Sequence, residues 1–279
     1  MMWLKHFFQR VLILALGAVT VWLIAFVFFD FADRRLPAAL AIAATYGLAA
    51  YVILPRAIRL GLYILNRGRV PSYTITGDGL PGDPVNLALV GTSQELCGAF
   101  ATSGWSKADK LDLASSCRMV RAFVLNEPYA TAPFSTLYLF GRGQDVGFQL
   151  PIGDSPRKRH HVRFWGLPLE RAEETLDKPA FWLDAPHPPD GERVLWIGAG
   201  TKDTGFSLTR LSFQITHATD ADTDEERGFI VGELERRGLI EDVSEYFPGE
   251  RLSIGRINRY VTDGKVAVAA IKPAEGPRP

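Results

Sequence analysis

Two uncharged apolar runs near the N-terminus constrain this 279-residue chain more than any other feature of its sequence. They cover residues 11–29 and 36–54, and each has 19 residues without a charged side chain. A helix rises 1.5 Å per residue, so each run reaches about 28 Å, close to the roughly 30 Å hydrocarbon core of a bilayer. Only six residues separate the runs, which predicts an antiparallel hairpin of two transmembrane helices. The alternatives are a cleaved signal peptide for the first run and a buried core helix for the second.

The positions of the basic residues predict the orientation of this hairpin. Arg34 and Arg35 lie in the loop, whereas six basic residues flank the outer ends of the two runs, namely Lys5, Arg10, Arg56, Arg59, Arg67 and Arg69. Basic residues are retained on the cytoplasmic side of a membrane. We therefore expect a two-span protein of the inner (plasma) membrane, with residues 1–70 as hairpin and basic juxtamembrane segment and with both termini in the cytoplasm.

The formal charge of zero hides an uneven distribution of charge along the chain. Residues 1–70 have eight basic and two acidic residues, a net of +6, and the remainder has 23 basic and 29 acidic residues, a net of −6. The acidic remainder argues against a nucleic-acid partner held by overall positive charge. Cys97 and Cys117 lack a metal-ligand spacing and read as buried reduced thiols, although they could form a disulfide if the domain lay on the oxidising side of the membrane.

The rest of the chain predicts one α+β domain over residues 83–272, after a linker at 71–82 and before a disordered tail at 273–279. Short apolar strands with Gly, Pro and Asp at their ends predict a mostly antiparallel sheet with flanking helices. Their predicted ranges are 85–90, 136–140, 147–152, 160–165, 193–197, 208–218 and 266–271. Helices are expected after Thr92, over 113–125, and from Thr223 to Gly238, with Thr92 and Thr223 as capping-box residues.

A basic stretch at residues 157–163 is the first candidate site. Because side chains alternate across a strand, His161 and Arg163 share one face and His160 lies on the other. Arg159 and Arg163 are candidate anion-binding residues, and His161 is a candidate general acid or base. The alternative is a solvated basic loop that enters a strand.

A glycine-rich stretch at residues 198–205 and the nearby His217 form the second candidate. We interpret the glycines as a hairpin between two strands, and Lys202 and Asp203 are the residues that could make it a site. His217 continues an apolar strand face, so it is either a core histidine or a catalytic one.

Acidic residues at every second position, Asp220, Asp222, Asp224 and Glu226, form the third candidate, and the first three are the candidate metal ligands. Oxygen ligands of this kind suit a divalent metal such as calcium or magnesium. Acidic residues also stabilise a helix N-terminus through its dipole, which is the favoured alternative.

Four motifs in the same order resemble the LssY C-terminal domain family. They are residues 135–145 with the core Leu-Tyr-Leu-Phe-Gly-Arg, 159–165, 195–205, and 216–227, where Thr-His precedes spaced aspartates. Members of that family are frequently joined to a membrane-embedded PAP2-type lipid phosphatase, so the resemblance implies a bacterial protein that works at a membrane on phosphorylated lipids. No PAP2 motif occurs here, and phosphatase activity is not carried over. The residues that match the family motifs are Arg159, His160, His161, Arg163, Asp203, His217, Asp220, Asp222 and Asp224.

Two hypotheses about function follow, and whether the chain is an enzyme stays open at this point. In the first, Arg159 and Arg163 hold a phosphate-bearing lipid ligand, His161 or His217 transfers a proton, and Asp203 or Asp220 orients the histidine or binds a metal. In the second, the chain is a non-catalytic module, anchored in the bilayer, that recruits a lipid-metabolism enzyme.

Overall fold

The structure is a computed structural model in which two compact units can be described, an N-terminal unit centred on residues 1–70 and a globular unit that begins at Pro71. The residues that the structure describes are 2–49, 53, 56–57, 60–61, 63–64, 70–76, 81–110, 112–125, 127, 129–133, 135–153, 158–169, 187–188, 191–208, 215–247 and 262–273.

The N-terminal unit begins with a long helical segment. Helix α1 spans Met2–Trp22, a π-helical stretch spans Leu23–Phe28, and helix α2 spans Phe29–Asp33. Over Phe7–Asp33 this segment has 27 residues and a mean hydropathy of 2.8 in its apolar window, of which 6% is buried. It is long and apolar enough to cross a membrane, and a signal sequence near an N-terminus would have the same properties.

The second apolar run is represented by a shorter helix. Helix α3 spans Ala38–Leu48, 11 residues, and most of residues 50–54 lie outside the described part of the chain. The described residues therefore contain one helix of spanning length, and the predicted hairpin of two spans is not evident. A contact joins the two ends of this unit, because the side-chain amide of Gln9 donates to the Ile64 carbonyl at 2.9 Å.

An eight-stranded sheet dominates the globular unit. Its strands are β3 (Leu87–Gly91), β4 (Ser106–Lys107), β7 (Val146–Pro151), β8 (Arg159–Pro168), β9 (Val194–Leu208), β10 (Ile215–Thr219), β11 (Ile240–Tyr246) and β12 (Val266–Ile271). The order is β11-β12-β3-β9-β8-β7-β4, and β10 pairs with the second half of β9. Only the β12/β3 pair is parallel. The mostly antiparallel α+β architecture is thus confirmed.

Short strands precede and follow the first helices of this unit. They are β1 (Tyr73–Ile75), β2 (Pro81–Pro84), β5 (Tyr138–Leu139) and β6 (Arg142–Gly143), and β1 pairs with both β2 and β5. Part of the predicted linker at 71–82 therefore forms strands.

Helices α4 (Ser93–Thr102) and α6 (Thr223–Arg236) contribute the core that packs on one face of the main sheet, and α5 spans Leu113–Leu125. The predicted capping box of α4 is present, since Thr92 Oγ1 accepts from the Glu95 amide and Glu95 accepts from the Thr92 amide. In the core, the Phe100 ring stacks on Phe148 with centroids 4.5 Å apart and meets Phe164 edge-on at 5.4 Å.

The glycine-rich stretch 198–205 is the main correction to the predicted fold. It is not a hairpin but the middle of the 15-residue strand β9. A Cβ at Gly198 would lie 2.6 Å from the Phe164 ring, and one at Gly200 would lie 2.6 Å from Ile230 Cδ1. The glycines are therefore required by close packing of side chains against the strand rather than by a turn.

Two smaller predictions also change. Asp222, not Thr223, is the N-cap of α6, because its carboxylate accepts from the amides of Asp224 and Glu225. Both cysteines are free thiols, but only Cys97 packs against the core, and Cys117 is exposed.

Candidate functional site

In the first half of β8, three cationic side chains lie on one face of the sheet, and the apolar side chains of Val162 and Phe164 lie on the other. Val162 and Phe164 belong to the core beneath the helices. On the other face, Arg159, His161 and Arg163 are buried, with 6%, 2% and 6% of their surfaces exposed. The predicted alternation of the basic stretch is confirmed, but these residues are not a solvated loop.

Small and polar neighbours on the adjacent strands make room for these side chains. In the register of the sheet, Arg163 lies between Gly147 on β7 and Ala199 on β9, neither of which has a large side chain. His161 lies between Gln149 and Thr201, both of which can form hydrogen bonds. The sequence thus places polar partners beside the imidazole and space beside the guanidinium.

Arg159 is held by an ion pair and an amide. Its Nε donates to Asp203 Oδ2 at 3.0 Å, and its Nη1 donates to Gln149 Oε1 at 2.6 Å. Gln149 in turn donates from Nε2 to the Ala132 carbonyl at 2.8 Å. Three consecutive strands of the sheet, β7, β8 and β9, therefore meet through this guanidinium.

Arg163 pairs with a carboxylate from outside the main sheet. Its Nη1 donates to Asp83 Oδ2 at 2.6 Å, and both residues are buried. Asp83 lies on β2 and is 80 positions away in the sequence. The ion pair thus connects the short strand β2 to the charged face of β8.

His161 occupies the centre of the cluster. Its Nε2 lies 2.7 Å from Thr201 Oγ1 and 3.8 Å from Asp83 Oδ2, and its Nδ1 lies 3.3 Å from Asp203 Oδ1. Thr201 Oγ1 lies 3.5 Å from Asp83 Oδ2. One hydroxyl, one imidazole and two carboxylates are therefore within reach of one another, and we call Asp83, Gln149, Arg159, His161, Arg163, Thr201 and Asp203 the ion cluster.

Burial and charge act against each other in the ion cluster. Burial lowers the pKa of Arg159, and the Asp203 carboxylate opposes this effect only in part. Burial also lowers the pKa of His161, as does Arg163, but Asp203 and Asp83 outweigh both and raise the pKa above its ordinary value. Because carboxylates bracket it, the imidazole readily holds a proton in a site from which water is largely excluded.

A family model described as LssY C-terminus matches residues 67–266, which include the whole ion cluster. The chain belongs to the LssY C-terminus family. No curated protein and no solved structure shows a significant match to it. The LssY C-terminal domain therefore begins close to strand β1, and the long apolar helix precedes it.

Lys202 and Asp220 of the LssY C-terminal domain lie away from the ion cluster. Lys202 is the register partner of His160, so it is on the opposite face of the sheet from His161 and Asp203. Its Nζ lies 3.9 Å from Asp220 Oδ2, and both side chains are about one-third exposed. The structure therefore does not bring this predicted anion-binding lysine to the predicted arginines.

The other predicted metal ligands serve helix α6. Asp222 caps its N-terminus, and Asp224 accepts from Thr262 Oγ1, from Arg227 and from the Asp263 amide. In the described ranges, no three His, Cys, Asp or Glu residues form a group that could hold a metal ion. Asp222 is therefore a helix cap, and Asp224 connects the first turn of the helix to residues 262–263.

Of His217, only the backbone is described. It lies in β10, where its register partner is Phe206 rather than a member of the ion cluster. Its proposed acid–base role stays a prediction.

Sequence reasoning missed Asp83, Gln149 and Thr201. Asp83 stands in the sequence Pro-Gly-Asp-Pro, which is typical of a loop, and the other two lie in the interior of strands. For Gln149 and Thr201 there was a usable signal, because each is a polar residue in the interior of a predicted strand or glycine-rich segment, where a buried partner is required.

Proposed function

We propose that this protein is anchored in the inner membrane and that its LssY C-terminal domain binds and processes a phosphate-bearing lipid at the ion cluster. One observation carries the proposal, namely the convergence of Arg159, Arg163 and His161 on one buried face with two carboxylates that orient them. The substrate class is a phosphate ester at the membrane surface.

The chemistry of these groups fits a phosphate ester. Guanidinium groups offer planar, paired donors that match phosphate oxygens, and they keep their charge at neutral pH. An imidazole can accept a proton from a nucleophile and then donate it to a leaving oxygen. In a buried site such interactions are stronger than in water, because the low local dielectric weakens screening.

The anchor in this proposal is the apolar helix, with a second span and both termini in the cytoplasm. The bond from Gln9 to the Ile64 carbonyl supports a return of the chain towards the start of the first helix. The six basic residues that flank the outer ends support a cytoplasmic position for those ends. A reporter fused after Arg69 that is active only outside the cytoplasm would overturn this orientation.

The experiment measures binding with the full-length chain in nanodiscs. Its thermal stability and its binding to vesicles are compared for phosphatidic acid in phosphatidylcholine, for phosphatidylcholine alone, and for free inorganic phosphate. The test variant is Arg163→Gln, and the matched control is Arg193→Gln, an exposed arginine immediately before β9 that pairs with Glu95.

We expect phosphatidic acid to stabilise the wild type and the control, and to bind Arg163→Gln at least about tenfold more weakly, the effect of losing one charge-assisted contact. Equal binding by the wild type and Arg163→Gln would overturn the proposal and favour a structural ion network in a non-catalytic module. Stabilisation by free phosphate but not by the vesicles would overturn the lipid part alone.

A further inference from the structure

We infer that Thr201, His161 and Asp203 form a hydroxyl–imidazole–carboxylate relay in which Thr201 Oγ1 is the nucleophile that attacks the phosphorus of the ester. The inference rests on the proposed function and goes beyond it, because it assigns the bond-forming atom and a covalent intermediate. Relays of this kind are recognised by geometry and roles rather than by residue order in the sequence.

A short hydroxyl–imidazole contact and an imidazole–carboxylate ion pair join the three side chains. Thr201 Oγ1 is 2.7 Å from His161 Nε2, and His161 Nδ1 is 3.3 Å from Asp203 Oδ1. Thr201 Oγ1 is also 3.5 Å from Asp83, which is a much longer contact than the one to the imidazole. When the imidazole is neutral, this short contact allows Thr201 Oγ1 to pass its proton to His161 Nε2, as proton transfer from a nucleophile requires.

Each member of the relay is fixed by a further contact. Asp203 accepts from Arg159 through its other carboxylate oxygen, which leaves Oδ1 directed at His161. Thr201 follows Gly200, whose amide donates to Asn86 Oδ1 and whose carbonyl accepts from Asn86 Nδ2, both at 2.9 Å. The backbone next to the nucleophile is thus clamped by a buried side chain, which favours a fixed attack geometry.

The reaction balances with water as the co-reactant. In the first step the Thr201 Oγ1 to phosphorus bond forms, the hydroxyl proton passes to His161 Nε2, and the ester oxygen leaves with that proton as an alcohol. In the second step water attacks the phosphorus and gives a proton to His161 Nε2, and the bond to Oγ1 breaks as Oγ1 takes that proton. The guanidinium groups of Arg159 and Arg163 stabilise the negative charge on the phosphoryl oxygens.

The relay predicts a direction for the pH dependence of turnover. The charged groups that face His161 are Asp203 on β9, Asp83 on β2, and Arg159 and Arg163 on its own strand. His161 accepts the proton only as neutral imidazole, so turnover should rise with pH through its pKa. Because Thr201 is fully buried, an ester can reach it only if the packing around it opens, and the substitutions below leave the neighbouring Asp83 unchanged.

The test compares Thr201→Val with Thr201→Ser in the full-length chain in mixed micelles. Turnover of p-nitrophenyl phosphate and of phosphatidic acid is measured, and acid-quenched samples are analysed by mass spectrometry for phosphothreonine at position 201. The matched control is Ser103→Ala, which removes a buried hydroxyl that donates to the Ala99 carbonyl at 2.9 Å, at the end of helix α4.

We expect Thr201→Val to lower kcat by at least about 100-fold with an unchanged KM, as loss of a nucleophile does. Thr201→Ser should keep turnover within about tenfold and form phosphoserine, and Ser103→Ala should keep wild-type turnover. Melting curves identify variants that fail to fold. If Thr201→Val does not fold, the test is decided by the turnover of Thr201→Ser and by the identity of the phosphorylated residue in the mass spectra.

Three results would overturn the inference. They are wild-type turnover in folded Thr201→Val, loss of turnover in folded Thr201→Ser, and the absence of both turnover and adduct in the wild type. If phosphatidic acid binding still depends on Arg163 in any of these cases, the proposed function stands without the relay. If binding does not depend on Arg163 either, both the proposed function and the relay are wrong.

Discussion

On one face of β8, Val162 and Phe164 pack among apolar and aromatic side chains, whereas on the other face Arg159, His161 and Arg163 meet carboxylates, an amide and a hydroxyl. Both faces are buried to a similar degree. The two sets of residues alternate along the same strand and share its backbone. The difference therefore isolates what side-chain chemistry contributes at constant burial.

The stability of the two faces depends on different properties of their side chains. The apolar face depends on volume, because each ring fills space against its neighbours and attraction is non-directional. The charged face depends on partners, because a buried ion without its counter-ion costs several kcal/mol. A substitution that keeps volume but removes charge should be tolerated on the first face and damaging on the second.

The largest expected effect is that of Phe164→Ala on the apolar face. The ring meets Phe100 and Phe148 edge-on, with centroids 5.4 and 6.3 Å away, so truncation leaves a cavity that these rings cannot fill. We expect a loss of about 4 kcal/mol in the free energy of unfolding, typical of Phe→Ala in a core. Chemical denaturation measures it, and Phe164→Leu is the control, with a loss less than half as large.

Asp203→Asn should have the next largest effect, although it barely changes volume. It removes the carboxylate that faces both Arg159 and His161. We expect a loss of about 3 kcal/mol, the usual result of breaking a buried pair, and a smaller loss when Arg159→Met and Asp203→Leu are combined. If Asp203→Asn unfolds at the same denaturant concentration as the wild type, the charged face does not depend on its ion pairs.

The two faces also differ in how well the sequence predicts them. Period-two alternation was enough to assign Val162 and Phe164 to one side and His161 and Arg163 to the other, because a regular strand has only two faces. The same pattern could not identify Asp83, since its contact with Arg163 is 80 residues away in the sequence and its Pro-Gly setting suggests a linker. Local rules contain no information about such a partner.

The glycine residues explain why the hairpin predicted at residues 198–205 is wrong. Gly198 and Gly200 look like a turn because glycine adopts turn conformations without a steric penalty. In the structure they are strand residues that make room for Phe164 and Ile230, which come from other elements. The role of these glycines depends on the sheet partner Phe164 and on helix α6, neither of which is adjacent in the sequence. The caps of α4 and α6 depend on a few adjacent residues, and the sequence predicts them nearly correctly.

The pH dependence of stability should reveal the proton at the centre of the charged face. Asp203 and Asp83 raise the folded-state pKa of His161 above the unfolded value of about 6.5, so its protonation stabilises the fold fully below about pH 6.5. That contribution is lost as the pH rises through the folded pKa. The free energy of unfolding of the wild type relative to His161→Gln should therefore fall with pH, by about 1.4 kcal/mol for each unit of pKa shift. A difference that is constant from pH 5.5 to 9 would contradict the raised pKa.

The smallest effect is expected for Glu226→Gln. This substitution is the counterpart of Asp203→Asn, and it lies at the edge of the apolar face. Glu226 Oε2 lies 2.7 Å from Nδ1 of His160, whose ring stacks on Phe229 at 4.0 Å. Within the described ranges, Glu226 Oε1 is buried and meets no hydrogen-bond donor, so the carboxylate has fewer partners than Asp203 has. A glutamine keeps an acceptor for His160 and removes a poorly compensated charge, and we expect the free energy of unfolding to change by less than about 1 kcal/mol in either direction.

Denaturation of Glu226→Gln and Asp203→Asn under the same conditions compares the same chemical change, loss of a buried carboxylate charge, on the two faces. If Glu226→Gln lowers the free energy of unfolding as much as Asp203→Asn does, a buried carboxylate contributes equally on the two faces. The charged face would then have no special dependence on its partners.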